Sequence, residues 1–151
     1  MATKRSSSGH RARSLARRLA LQALYQIQLN PRPWMETYQQ FATDPEASRA
    51  DLEYFRELIF AVAPTSASLD EQMKGYCEIP PAELDPIEHA VLWLGLHELR
   101  ACPELPYRVA IDEAVNLAKQ FGATDGHKFV NAALDKAARD LRPLEYGQSL
   151  G

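Results

Sequence analysis

A chain of 151 residues, 46% apolar and 25% charged, has the make-up of one globular domain able to bury a real core. No apolar run approaches the roughly 18 to 20 residues that cross a bilayer. The net charge of −3 hides an asymmetry: the first 35 residues carry seven Lys and Arg and no acid, while all 20 Asp and Glu follow, against ten further bases.

Residues 1–10, with Ser6-Ser7-Ser8-Gly9, read as a disordered basic arm. The start is no secretory leader, because Arg17, Arg18, Gln22, Gln26 and Gln28 interrupt Leu15 to Leu29. A mitochondrial transit peptide, also basic and acid-poor, is the alternative reading of this segment. From about Arg11 the spacing of Leu15, Leu19, Leu24 and Ile27 predicts a helix, with Ala16, Ala20 and Ala23 allowing close packing, and Asn30-Pro31-Arg32-Pro33 ends it. A short helix with Trp34, Tyr38 and Phe41 follows and closes at Thr43-Asp44-Pro45. The next begins near Ala50 with a stripe of Leu52, Phe55, Leu58, Ile59 and Val62. Pro64 kinks or breaks it, and helical spacing resumes through Leu69 and Met73 to Gly75.

Ile79-Pro80-Pro81 reads as a linker and as the boundary between two halves of one domain. Asp85-Pro86-Ile87-Glu88 is a helix start: a capping Asp, Pro at the first position, and Glu placed as in a capping box. That helix carries Val91, Leu92, Leu94, Leu96 and Leu99 to Cys102-Pro103. Another opens after Pro106 and stops at Gly122; the last is capped by Thr124 or Asp125 and ends at Arg142-Pro143. The folded domain is thus 11–143, with a C-terminal tail at 144–151. No stretch alternates as a half-buried strand does, so the fold class is all-α.

Signals for catalysis are missing. His89 and His97 lie on one helix about 12 Å apart, too far for one ion, and no HExxH or CxxC spacing occurs. Neither a Gly-x-Ser-x-Gly turn nor a phosphate-cradling glycine loop is present. Cys77 and Cys102 do not make a disulfide framework and imply a reduced, cytoplasmic protein. No metal, cofactor or enzymatic activity follows from these residues.

A basic stretch remains. Arg13 and Arg17 are four apart and Arg11 and Arg18 seven apart, so together they form a broad cationic flank at a helix start. Tyr25 extends the Arg11–Arg18 line by two turns. Exposed guanidinium groups with aromatic rings suit single-stranded RNA, although a solvated charged face and, for Tyr25, core packing also fit.

Four strings carry more than their period: 16–25 (ARRLALQALY), 54–58 (YFREL), 106–122 (PYRVAIDEAVNLAKQFG) and 127–135 (HKFVNAALD). In order and together they closely resemble the NusB family of bacterial transcription antitermination factors, from about Arg11 to Pro143. The resemblance implies two packed helical subdomains forming one domain and a non-catalytic protein that binds boxA RNA of ribosomal RNA leader transcripts. It implies NusE, a small-subunit ribosomal protein, as co-binder, and NusA, NusG and RNA polymerase as the wider assembly; some members also form homodimers. Arg13 and Arg17 match arginines of the family's basic motif, Arg18 is an additional charge, and Ser14 and Leu15 stand where other members carry more arginine. Tyr25, Lys128 and Phe129 match positions near the RNA surface, although spacing alone makes Phe129 a core residue. Glu88 matches an acidic position near the RNA and partner face, beside its helix-start reading. Asp125 either tunes binding or is a plain cap.

Three departures stand out: Trp93 at a position that can be basic, His97 in place of a Tyr, and Asp112 in place of an Asn. Two other readings compete. A NusB-like domain also begins some RNA cytosine methyltransferases, which need a following cofactor domain that does not occur before Gly151. The third reading is a homodimeric scaffold with no RNA role of its own.

Overall fold

The structure, a computed structural model, describes residues 7–150, with side chains described for 9–147. Every regular element among them is a helix, and the chain divides between Pro64 and Thr65 into two compact units.

The first unit is built from α1 (Ser7–Leu29), α2 (Trp34–Ala42) and α3 (Leu52–Val62). α1 begins at Ser7, ahead of the expected Arg11, because no proline or cap stops it and Arg11, Ala12 and Arg13 all favour helix. Expected arm residues 1–6, including Lys4 and Arg5, lie outside the described residues. The buried face of α1 is Ala16, Ala20, Leu21, Ala23 and Leu24; Leu15, Leu19 and Ile27, placed in the stripe by spacing, are only half-buried. Small alanines let α1 lie close to α3, which contributes Phe55, Leu58, Ile59 and Val62, all fully buried. Each such Leu or Phe contributes about 1.5–3 kcal/mol by leaving water. From α2, Tyr38 stacks on Phe55 at 5.4 Å between ring centres, and Trp34 and Tyr38 each meet Phe60 edge-on at 5.1 Å.

A single 3-10 turn, Pro45–Arg49, leads from α2 towards α3. Asp44 opens it by accepting from the Glu46 N–H at 2.8 Å. Asp51 then caps α3, accepting from the Tyr54 N–H at 3.0 Å, and its own N–H donates to the Ala12 carbonyl of α1 at 2.9 Å. Pro64 ends the unit within a 3-10 turn, Ala63–Thr65. Division falls there and not at Ile79-Pro80-Pro81. That expected linker lies inside the second unit, where Pro81 is buried and opens the turn Pro81–Glu83.

The second unit holds α4 (Ser66–Met73), α5 (Pro86–Ala101), α6 (Tyr107–Phe121), α7 (Gly126–Leu141) and α8 (Pro143–Leu150). α5 is its axis: every residue from Glu88 to Leu99 is buried, the all-round burial expected of a helix enclosed by others. Asp85 caps it through the Ile87 N–H at 2.8 Å, with Pro86 in the first turn, as its sequence indicates. α7 crosses α5 at Gly95, where an added Cβ would lie 2.5 Å from Leu134 Cδ1.

α8 occupies the segment expected to be a tail, and the reason is a long-range network. The buried Arg142 guanidinium donates to the carbonyls of Leu99 (2.7 Å), Leu105 (3.0 Å), Glu98 (3.1 Å) and Cys102 (2.8 Å). These include carbonyls that the C-terminal end of α5 would otherwise leave unpaired. Glu145 balances the charge at 2.7 Å, and its other oxygen accepts from the Tyr107 N–H that opens α6, at 2.8 Å.

Candidate nucleic-acid interface

In the first unit the four expected arginines separate by role. Arg11 and Arg18, two turns apart on α1, are exposed. Arg13 turns back onto α3: its guanidinium lies 4.1 Å from the Tyr54 ring centre, and its Nε is 3.6 Å from Asp51 Oδ2, outside hydrogen-bond range. Arg17 departs from the expected surface contact. It is 3% exposed, with its guanidinium 5.4 Å from the same Tyr54 ring centre. Cation–π contacts are worth about 0.5–1 kcal/mol where exposed and about 2 kcal/mol where desolvated; Arg17 is at the buried end and Arg13 is partly exposed, and both tie α1 to α3. The broad flank of four cations is therefore a narrower line, Arg11 to Arg18, and Tyr25 continues it as a half-buried ring. Tyr54 was missed as the partner of the two arginines, although it heads one of the four informative strings.

In the second unit the loop between α6 and α7 is shaped by Glu88. This side chain is 5% exposed and accepts from the Ala123 N–H at 3.0 Å. An added Cβ at Gly122 or at Gly126 would run into the Glu88 carboxylate, and at Gly122 it would also come within 2.8 Å of the Ala118 carbonyl. Gly122 thus ends α6 because of a close approach; its backbone is extended (φ −92, ψ −176) and not left-handed. Burial raises the Glu88 carboxyl above its ordinary range, the Ala123 N–H pulls the other way, and neighbouring Asp85 adds to the rise.

Glu88 consequently faces the inside of the loop and not solvent, and it supports the segment that carries the remaining candidates. Asp125 sits at the start of α7 without a side-chain capping bond and pairs with Lys128 Nζ at 3.4 Å. Both are well exposed, so the pair itself is worth little. Phe129 is half-exposed, outside the buried row Val130, Ala133, Leu134, Ala137 and Ala138. The two glycines that admit Glu88 were missed; their signal is a Gly pair four residues apart around a loop.

The departures acquire partners. Trp93 Nε1 donates to Asp70 Oδ1 at 2.8 Å, and His89 Nε2 meets the same oxygen at 2.6 Å, with the two rings 4.4 Å apart. His97 is buried on α5, and desolvation, aided by Arg100, lowers its pKa. Asp112 is exposed on α6. Among the described residues no three His, Cys, Asp or Glu converge on a metal-sized site, and no helix is long and apolar enough to cross a membrane.

Comparison with known proteins gives this arrangement a family. The NusB family model matches residues 14–139. The chain belongs to the NusB family. A transcription antitermination protein NusB from Idiomarina loihiensis is 46% identical over 132 residues, spanning 87% of this chain and 95% of that protein. One from Escherichia coli O139:H28 is 47% identical over 132 residues, with the same coverage. Among solved structures, a NusB of T. maritima covers 98% of this chain and 99% of its own, at 25% identity and a TM-score of 0.77. A second, described as antitermination factors NusB and NusE in complex with dsRNA, shares the fold at 21% identity and a TM-score of 0.74, over 86% of this chain. The all-helical NusB-like fold is therefore established both by sequence and by shape.

Proposed function

We propose that this protein is a non-catalytic, cytoplasmic transcription antitermination factor of the NusB type. It binds boxA RNA of ribosomal RNA leader transcripts together with NusE, and joins RNA polymerase with NusA and NusG to keep elongation processive. The observation that carries the RNA part is the exposed Arg11–Arg18 line on α1, within a 35-residue segment that has no acidic residue. Such a line attracts a polyanion, and guanidinium groups suit phosphate. Family membership, and a fold-mate solved with NusE and RNA, support the choice of partners. On this reading Tyr25, Lys128 and Phe129 supply contacts to bases and backbone. Asp125 lies beside Lys128 and tunes its charge toward the RNA, while Glu88, Arg13 and Arg17 hold their elements in place.

The test is binding of a short boxA-containing RNA, with and without NusE, to the wild type and to the Arg11→Ala/Arg18→Ala double variant. Binding that NusE strengthens and the double change weakens about tenfold or more is expected. RNA binding indifferent to both arginines would move the RNA off α1. Failure to bind RNA or NusE would favour a scaffold without an RNA role.

A further inference from the structure

Beside the Arg11–Arg18 line lies a groove of about 230 Å³ between α1 and the Pro45–Arg49 turn. On the reading that this face binds RNA, we propose that the groove is a recognition slot for one guanine base of the bound single strand.

Size comes first. The volume is several times a water's share of about 30 Å³, yet below the roughly 300–1,000 Å³ of pockets that enclose drug-sized ligands. A single planar base with part of its ribose matches it. Leu15 and Leu19 of α1 and Ala50, the residue that follows the turn, give apolar lining against which one face of a flat ring can rest, while Ala47 is nearly buried. Polar groups are confined to Arg18, Gln22 and Glu46. Three backbone and capping bonds fix the turn before any ligand arrives: Asp44 to the Glu46 N–H (2.8 Å), the Ala47 N–H to the Asp44 carbonyl (2.9 Å), and the Ala50 N–H to the Ala47 carbonyl (3.0 Å). A preformed slot spends little affinity on ordering itself.

The choice of base follows from donors and acceptors. A Glu46 carboxylate offers acceptors only. Guanine presents two adjacent donor groups on its Watson–Crick edge, the ring N1–H and the exocyclic N2 amine. Uracil presents one N–H flanked by carbonyls that repel a carboxylate, and adenine presents a single amine. The guanine carbonyl remains for the amide N–H of Gln22, and Arg18 at the mouth meets a neighbouring phosphate. One such bidentate pair discriminates by about tenfold or more.

Fluorescence anisotropy with labelled RNAs of about twelve nucleotides tests this: oligouridine, the same strand with one central guanosine, and the same strand with one central adenosine. Wild type should bind the guanosine strand about tenfold more tightly than either of the others. Glu46→Gln, at an exposed position, removes one negative charge and so raises the affinity of every strand somewhat, but it should bring the ratio of guanosine-strand to oligouridine affinity down to about one. Ala50→Leu, which narrows the slot, should lower that ratio in the same way, with circular dichroism checking its helix content. A preference that is absent in wild type, or that survives both changes, overturns the slot while leaving RNA binding by α1 standing. No binding of any strand at low salt would overturn the slot and the RNA reading together.

Discussion

On α1, adjacent arginines serve different partners. Arg17 is 3% exposed against Tyr54, whereas Arg18 is exposed beside the groove. Arg17→Gln should cost about 2 kcal/mol of stability in urea denaturation and leave the RNA affinity of the folded protein nearly unchanged. Arg18→Gln should do the reverse, shifting stability by less than about 0.5 kcal/mol while weakening RNA binding. Equal behaviour of the two variants in both assays would contradict the division. Glu88 carries the clearest pH signature. Its carboxyl, held by burial above the ordinary 4.5, keeps a proton in the folded chain that the unfolded chain has already released. Across the window from 4.5 up to the raised value, stability therefore falls as pH rises, and above it the cost is complete. Glu88→Gln removes this titration, so urea midpoints measured from about pH 4 to pH 7 should drift in favour of the variant as pH increases. A gap between the two proteins that stays constant over that range would show that Glu88 is not the group responsible.

At the scale of elements, Arg142 joins the end of α5 to the start of α6 through four carbonyls and Glu145. Arg142→Ala takes the side-chain donor from the Leu99 and Leu105 carbonyls, whereas the Glu98 and Cys102 carbonyls keep the backbone N–H groups of Cys102 and Leu105; the change should cost about 2–3 kcal/mol. Hydrogen exchange should rise first at the α5 C-terminus and at Tyr107. Arg142→Lys should recover only part of the loss, because an ammonium cannot reproduce the planar fork. Nothing near Arg142 in the sequence announces this role, since its carbonyl partners lie between 37 and 44 residues away. The same holds for Glu88 and Ala123, 35 apart. By contrast, the breaks at Pro31, Pro64 and Pro103 and the Asp85 cap were legible, because each depends on residues within a turn or two. Tyr25 and Phe129 could be placed only as far as a helix; whether a ring at a core-like spacing is covered depends on what packs over it. α8 was lost to the tail because two residues that anchor it, Glu145 and Tyr146, find partners on α6 and α7, at Tyr107 and Asp135.

For the molecule as a whole, charge placement matters more than its total. Seven bases precede the first acid, yet two of the four described ones between Arg11 and Arg18 are engaged with Tyr54, so a plain count of arginines overstates the surface open to RNA. If about five phosphates are neutralised in all, log affinity should fall with log salt at a slope near −3.5, or roughly a hundredfold between about 50 and 200 mM. A slope near zero would remove the electrostatic basis of binding. Family membership was readable from four strings in order, whereas the allocation of individual arginines needed the fold. 

The Arg142–Glu145 clasp also bears on how the chain is made. Synthesis runs from the N-terminus, and domains generally fold as units as they emerge. The first unit has all of its helices once Val62 and Pro64 are out of the ribosome. α5 and α6, though finished by Phe121, wait for Arg142 and Glu145 before their facing ends can be closed. A nascent chain stalled short of these residues would present one completed unit and a second whose α5 and α6 ends still lack the guanidinium and carboxylate that close them.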